Sequence, residues 1–173
     1  MKPGRGVYEL SNAGKLYLVA TPIGNLEDIT LRALKVLEAS DIIAAEDTRQ
    51  TLKLLNHFGI KKPMTSYHEH NRLSKGEYII KLLLEGKNIA LVSDAGTPGI
   101  SDPGEDIVKL AVEHEVEITM VPGPSAAIMG LVLSAMSTNR FVFEGFLPAN
   151  KKEKRERLAA IKNEDRTVVL YEA

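Results

Sequence analysis

The chain has 173 residues, 44% hydrophobic and 26% charged, with a formal net charge of −1, enough for one full globular domain and the start of another. It has no cysteine, which excludes disulfides, thiolate zinc sites, iron–sulfur clusters and cysteine nucleophiles. No apolar run approaches the roughly 20 residues that span a bilayer and the N-terminus lacks a signal-peptide core, so a cytoplasmic, membrane-free protein is expected, and a nucleic-acid partner must be argued from local patches or motifs.

Residues 1–13 read as a flexible leader. Leu16–Ala20 is a buried strand, and Thr30 opens a helix with Leu31, Leu34 and Leu37 at helical spacing. Asp41–Ala45 is the next strand, followed by a helix from Thr48 that carries Leu52, Leu54 and Leu55 and closes at Gly59. Pro63–Tyr67 is a shorter strand. Ser74 and Glu77 have capping-box spacing ahead of Ile79, Ile80 and Leu83, and Asn88–Val92 is an apolar strand. Pro103 stands where a first helical residue belongs, before Ile107, Val108, Ala111 and Val112; Glu117–Val121 is strand-like, and Pro124 opens a helix through about Met136.

Strands alternating with helices require crossovers, so the expected fold is α/β, a mostly parallel sheet with helices on both faces, over residues 14–138. From 139 a linker leads into Phe141–Leu147, a charged helix from Asn150 to Lys162, and the strand Thr167–Tyr171. Three elements bury little, so residues 139–173 are expected to be the beginning of a second α/β domain that is cut short.

Three loops rich in glycine, proline and hydroxyl residues each follow an apolar strand: Ala20–Asn25, Ser93–Gly104 and Val121–Ala126. Loops gathered at the carboxyl ends of parallel strands are where open α/β sheets bind ligands. Neither GxGxxG nor GxxxxGK[ST] is present, so the carriers of dinucleotide and triphosphate binding are missing. Glu46-Asp47-Thr48-Arg49 follows the second strand; a capped helix N-terminus is its ordinary reading, a catalytic cluster the other. Tyr67-His68-Glu69-His70-Asn71 shows no third spaced ligand group, and no metal is expected. The run Lys151–Arg157, five basic and two acidic residues, reads as a solvated helix face, with RNA-phosphate contact as the alternative.

Together, Leu16–Thr30, Ala45–Arg49, Ser93–Gly104, Val121–Ala126 and Phe143–Pro148 closely resemble the tetrapyrrole-methylase-like superfamily of S-adenosylmethionine-dependent (class III) methyltransferases, and within it the bacterial 16S rRNA ribose methyltransferases. The resemblance implies an enzyme, usually a homodimer, that binds S-adenosylmethionine in the cleft between two domains and methylates the 2′-hydroxyl of a decoding-region cytidine on the small ribosomal subunit. On the matching positions it implies cofactor contacts at Pro22, Ala95, Gly96, Thr97, Ile100, Ser125, Ala126 and Tyr171. Thr97 stands where the superfamily often has Asp. The motifs name no base; Glu46 and Asp47 are the candidates for that role or for orienting the ribose, with Arg49 steadying the acceptor phosphate. A precorrin-type methyltransferase of the same fold and a non-catalytic cofactor- or RNA-binding scaffold are the competing readings, and a nicotinamide-dependent dehydrogenase lacks its glycine pattern.

Overall fold

The computed structural model describes residues 13–172; all but the last residue of the expected leader lies outside them. Two compact units meet at Gly123/Pro124, ahead of the boundary expected at 138. The first contains β1 (Lys15–Val19), α1 (Leu31–Ala39), β2 (Ile42–Ala45), α2 (Thr48–His57), β3 (Met64–Ser66), α3 (Arg72–Leu84), β4 (Ile89–Val92), α4 (Glu105–Glu113) and β5 (Glu117–Val121). Its sheet has the order β3-β2-β4-β1-β5, and every pairing is parallel.

That order determines where the helices go. A right-handed crossover that moves along the sheet in one direction covers one face, and a crossover in the other direction covers the opposite face. The steps from β1 to β2 and from β2 to β3 run one way, those from β3 to β4 and from β4 to β5 the other. Accordingly, Leu16, Leu18, Ala44, Ile89 and Leu91 pack with Ile79, Ile80 and Leu83 of α3 and Ile107 and Ala111 of α4. Val19, Ile43, Ala45, Ala90 and Val92 turn the other way onto Ala33 and Leu37 of α1 and Leu55 of α2. The central strands β2 and β4 are apolar throughout because both faces are covered, while the edge strands β3 and β5 carry Thr65, Ser66, Glu117 and Thr119. At the amino ends of the strands, Asn88 accepts from the Lys15 amide at 3.0 Å and donates its own amide to Asp41 at 2.8 Å, setting the mutual register of β1, β2 and β4.

Three helix starts differ from expectation. Helix α3 begins at Arg72, and Ser74 donates to the Asn71 carbonyl instead of heading a capping box. The Asn71 side chain accepts from the His68 amide and donates to Ser66, so local side-chain bonding set the start earlier than the apolar spacing indicated. Helix α4 begins at Glu105, with Gly104 rather than Pro103 at its threshold. A Cβ on Gly104, at φ +156°, would lie 2.8 Å from the Gly99 nitrogen, so the loop closes on itself before the helix can start.

The second unit holds α5 (Ala126–Leu133), β6 (Phe141–Phe146), α6 (Lys151–Ile161) and β7 (Thr167–Tyr171), with β6 and β7 parallel. Helix α5 starts after Ser125, not at Pro124, and stops short of Met136. A bulge falls between Phe143 and Gly145, where Gly145 has φ +68°. Glu144 in that bulge is 8% exposed and pairs with Arg157 of α6. Among the described residues no helix is long and apolar enough to cross a membrane.

Leu91 lies on the central strand and is 1% exposed. Leu91→Ala is expected to lower the unfolding free energy by about 3 kcal/mol, the usual cost of lost burial plus a residual cavity. Urea unfolding followed by circular dichroism checks this, with the midpoint falling and the slope unchanged.

Candidate functional site

In open parallel sheets a crevice opens where the chain leaves two neighbouring strands in opposite directions, each away from the other. Here those strands are β2 and β4: the chain leaves β2 toward β3 and leaves β4 toward β5. Glu46 and Asp47 follow β2, and the loop 93–104 follows β4.

This edge is closed by backbone pairing. Thr21 and Gly96 exchange two hydrogen bonds, Thr21 N to Gly96 O at 2.9 Å and Gly96 N to Thr21 O at 3.0 Å, so the loop after β1 is stitched to the loop after β4. Gly96 sits at φ +82°, a conformation in which a β-branched residue is strongly disfavoured. The Thr21 hydroxyl reaches the Ser93 carbonyl at 3.4 Å, and the Ala20 amide reaches Val121 O at 3.1 Å, bringing in the end of β5. A cavity of ≈ 210 Å³ is lined by Thr21, Pro22, Leu26, Gln50, Thr51, Lys53, Leu54, Ser93 and Asp94. A second, of ≈ 350 Å³, is lined by Glu46, Glu69, Arg72, Gly99, Ser101, Asp102, Pro103, Gly104, Glu105 and Asp106. Between them, the Asp94 amide donates to Glu46 Oε2 at 3.4 Å and the Asp47 amide donates to Asp94 Oδ1 at 2.9 Å.

The carboxylates of this edge differ in environment. Partial burial, reinforced by the negative charge of Asp102 nearby, pushes the Glu46 carboxyl above its ordinary value, and burial does the same to Asp102. Asp47 goes the other way, down to about 2, because the Arg49 side chain holds it. Its carboxylate caps α2 by accepting from the Arg49 amide at 2.8 Å and also binds the guanidinium at 3.0 and 2.7 Å. Asp47 and Arg49 thus satisfy each other, while Glu46 keeps an acid–base range nearer neutrality.

The expected cofactor residues fall into two groups. Pro22, Ala95, Gly96, Thr97 and Ile100 lie on the stitched loops of the first unit; Pro22 and Gly96 are buried, and Ala95 and Ile100 are exposed. Ser125, Ala126 and Tyr171 lie together in the second unit. Ser125 precedes α5, and the Tyr171 hydroxyl accepts from the Ala127 amide at 3.2 Å. Phe143 and Phe146 hold the Tyr171 ring at 5.0 and 5.3 Å between centroids. Asp94 and Asp102 join the edge without being among the expected site residues; the signal for them is their repetition as Ser-Asp before a turn, at 93–94 and 101–102.

Residues 15–173 match the family described as Tetrapyrrole (Corrin/Porphyrin) Methylases. The protein named ribosomal RNA small subunit methyltransferase I of Synechocystis sp. is 52% identical over 160 residues, covering 92% of this chain and 57% of that protein. Its namesake in Bacillus subtilis is 52% identical over 163 residues, covering 94% and 56%. The chain therefore spans less than three-fifths of the length of these relatives. Among solved structures, a diphthine synthase superposes with a TM-score of 0.74 at 16% identity, covering 91% of this chain and 64% of that one. A uroporphyrin-III C-methyltransferase from Thermus thermophilus does so at 0.57 and 22%, covering 77% and 60%; both likenesses concern the fold. A family match that runs over nearly the whole chain and includes every loop at the strand-end edge makes this protein a member of the tetrapyrrole methylase family.

Proposed function

We propose that this chain carries the S-adenosylmethionine-binding loops of a 16S rRNA methyltransferase that acts on the 2′-hydroxyl of a decoding-region cytidine, as a cytoplasmic homodimer working on the small ribosomal subunit. The observation that carries the reading is the Thr21–Gly96 double bridge, which holds two ligand loops together beside a half-buried carboxylate. The relatives' shared name suggests the substrate.

The residues present fit the cofactor. S-adenosylmethionine is a zwitterionic amino acid joined through a sulfonium to adenosine, with no phosphate. Amides, carbonyls and the hydroxyls of Thr21, Thr51 and Ser93, with Pro22 and Leu26 as apolar walls, suit such a molecule, and so does negative charge from Asp94 near a cation. Pro22, Ala95, Gly96, Thr97 and Ile100 would hold it on the stitched loops of the first unit. The bound cofactor supplies an electrophilic methyl group for in-line displacement, where positioning provides much of the acceleration. A ribose hydroxyl attacks well only as it loses its proton, and Glu46 is the group suited to receive it. Asp47, held low by Arg49, is a weak base, and its part is to fix α2 and orient Asp94 through its amide.

Gly96→Val is expected to weaken binding of S-adenosylhomocysteine to the full-length protein by at least about a hundredfold, because the φ +82° conformation disfavours a β-branched residue and its loss opens the bridge. Calorimetry measures this, and equal affinity contradicts the loop assignment.

Glu46→Gln separates stability from catalysis. A carboxyl whose folded pKa is raised makes its ionised form destabilising, so removing the charge raises the melting temperature at pH 7. That gain disappears as the pH falls through the raised value toward the ordinary 4.5. Gln keeps an acceptor for the Asp94 amide. Methyl transfer to small ribosomal subunits should fall by about a hundredfold or more, the usual share of a general base. A stabilised variant with undiminished turnover removes Glu46 from the role. Turnover on a short unstructured oligonucleotide equal to that on assembled subunits contradicts the proposed acceptor.

A further inference from the structure

The strand-end edge of the first unit is acidic, lined by Glu46, Glu69, Asp94, Asp102, Glu105 and Asp106. Charge is unevenly divided along the chain: residues 1–123 hold 14 Lys and Arg against 17 Asp and Glu, residues 124–173 hold 8 against 6. A polyanionic acceptor gains no net attraction from the first unit, so the attraction must come from elsewhere.

Helix α6 has the cations and no structural use for all of them. None of its residues is buried. Its inward side is accounted for: Arg157 pairs with Glu144, Lys154 with Glu172 at 3.6 Å, and Leu158 and Ile161 lie on the same side. Lys152 has Glu156 at 3.9 Å. Lys151, Arg155 and Lys162 are exposed and make no ion pair with the described residues. At about 100° per residue these three fall within roughly 40° of one another, a single row about 16 Å long that flanks the inward side. The Arg155 guanidinium lies back over this row, donating to the Lys151 carbonyl at 3.3 Å.

The cations at the start of α6 oppose helix stability, whereas Lys162 at its C-cap suits the dipole. A helix favours acidic residues in its first turn and basic ones in its last. Here Lys151 and Lys152 open the helix, with Glu153 the one acidic residue of the first turn, and no basic residue in the last turn. Exposed cations at a helix start, which weaken the helix and fill no packing role, are accounted for by something outside the chain. Helix α6 shares its unit with Ser125, Ala126 and Tyr171: Lys154 meets Glu172, beside the Tyr171 whose hydroxyl holds the Ala127 amide.

We infer that Lys151, Arg155 and Lys162 form a phosphate-contacting row that docks the RNA backbone on α6; the inference rests on the RNA acceptor proposed above. The row reads backbone charge and no sequence, positioning the acceptor strand while other groups choose the nucleotide.

The test is salt-dependent binding of full-length protein to small ribosomal subunits. Each phosphate contact contributes about 0.7 to 0.9 to the slope of log affinity against log salt. The combined variant Lys151→Gln, Arg155→Gln, Lys162→Gln should lower that slope by roughly 2 to 3 and weaken binding at low salt about tenfold or more, with S-adenosylhomocysteine affinity unchanged. The charge-keeping variant Lys151→Arg, Arg155→Lys, Lys162→Arg should retain the wild-type slope. An unchanged slope in the glutamine variant overturns the row. So does an equal fall in a matched triple on the first unit, Lys35→Gln, Lys61→Gln, Lys81→Gln, which would mean that overall charge alone matters. Wild-type protein that binds the cofactor but no subunits overturns the RNA reading itself.

Discussion

Much of this molecule follows from one topological constraint, the departure of the chain in opposite directions from the neighbouring strands β2 and β4. Right-handed crossovers then place α1 and α2 on one face and α3 and α4 on the other. Glu46 and Asp47 after β2 and the loop 93–104 after β4 then lie at one edge of the sheet. The same constraint makes the central strands β2 and β4 apolar on both sides, so Ala44 and Leu91 pack toward α3 and α4 while Ala45 and Val92 pack toward α1 and α2. Fold and site are two results of one winding.

At that edge hydrogen bonding and charge divide the work. Thr21 and Gly96 bind each other through backbone alone, which leaves the loop geometry independent of side-chain identity except where φ +82° favours glycine. The carboxylates are then sorted by what they touch. Asp47 is held by Arg49 and stays ionised, whereas Glu46 lies beside Asp102 and Asp94 and resists ionisation. Two adjacent residues with opposed shifts can serve as a structural cap and a proton acceptor, a separation of roles that environment rather than residue type provides.

All the strands and the glycine loops were legible in the sequence because apolar runs and turn residues are local signals. The helix starts at Arg72 and Glu105 were not. The first depends on Asn71 bonding back to Ser66 and His68, the second on the approach of Gly104 to Gly99, and both are contacts made only after folding. At the site, Glu46 and Gly96 were visible as types in suggestive places. What was not visible is that Arg49 pairs with Asp47, or that Asp94 joins Glu46 from the loop after a different strand. Pairings between residues 47 and 48 positions apart leave no periodic trace. The family resemblance bridged that gap for the loops, but the motifs that carry it do not identify a base.

The central claim is that the stitched loops after β1 and β4 hold the cofactor against the crevice between β2 and β4. A crystal structure of the full-length protein with S-adenosylhomocysteine tests it most directly. The account predicts ligand atoms in hydrogen-bond contact with backbone groups of residues 21–22 and 94–100, with the sulfur directed toward the Glu46 side of the edge. Ligand bound at another edge of the sheet, with the Thr21–Gly96 loops empty, would contradict it.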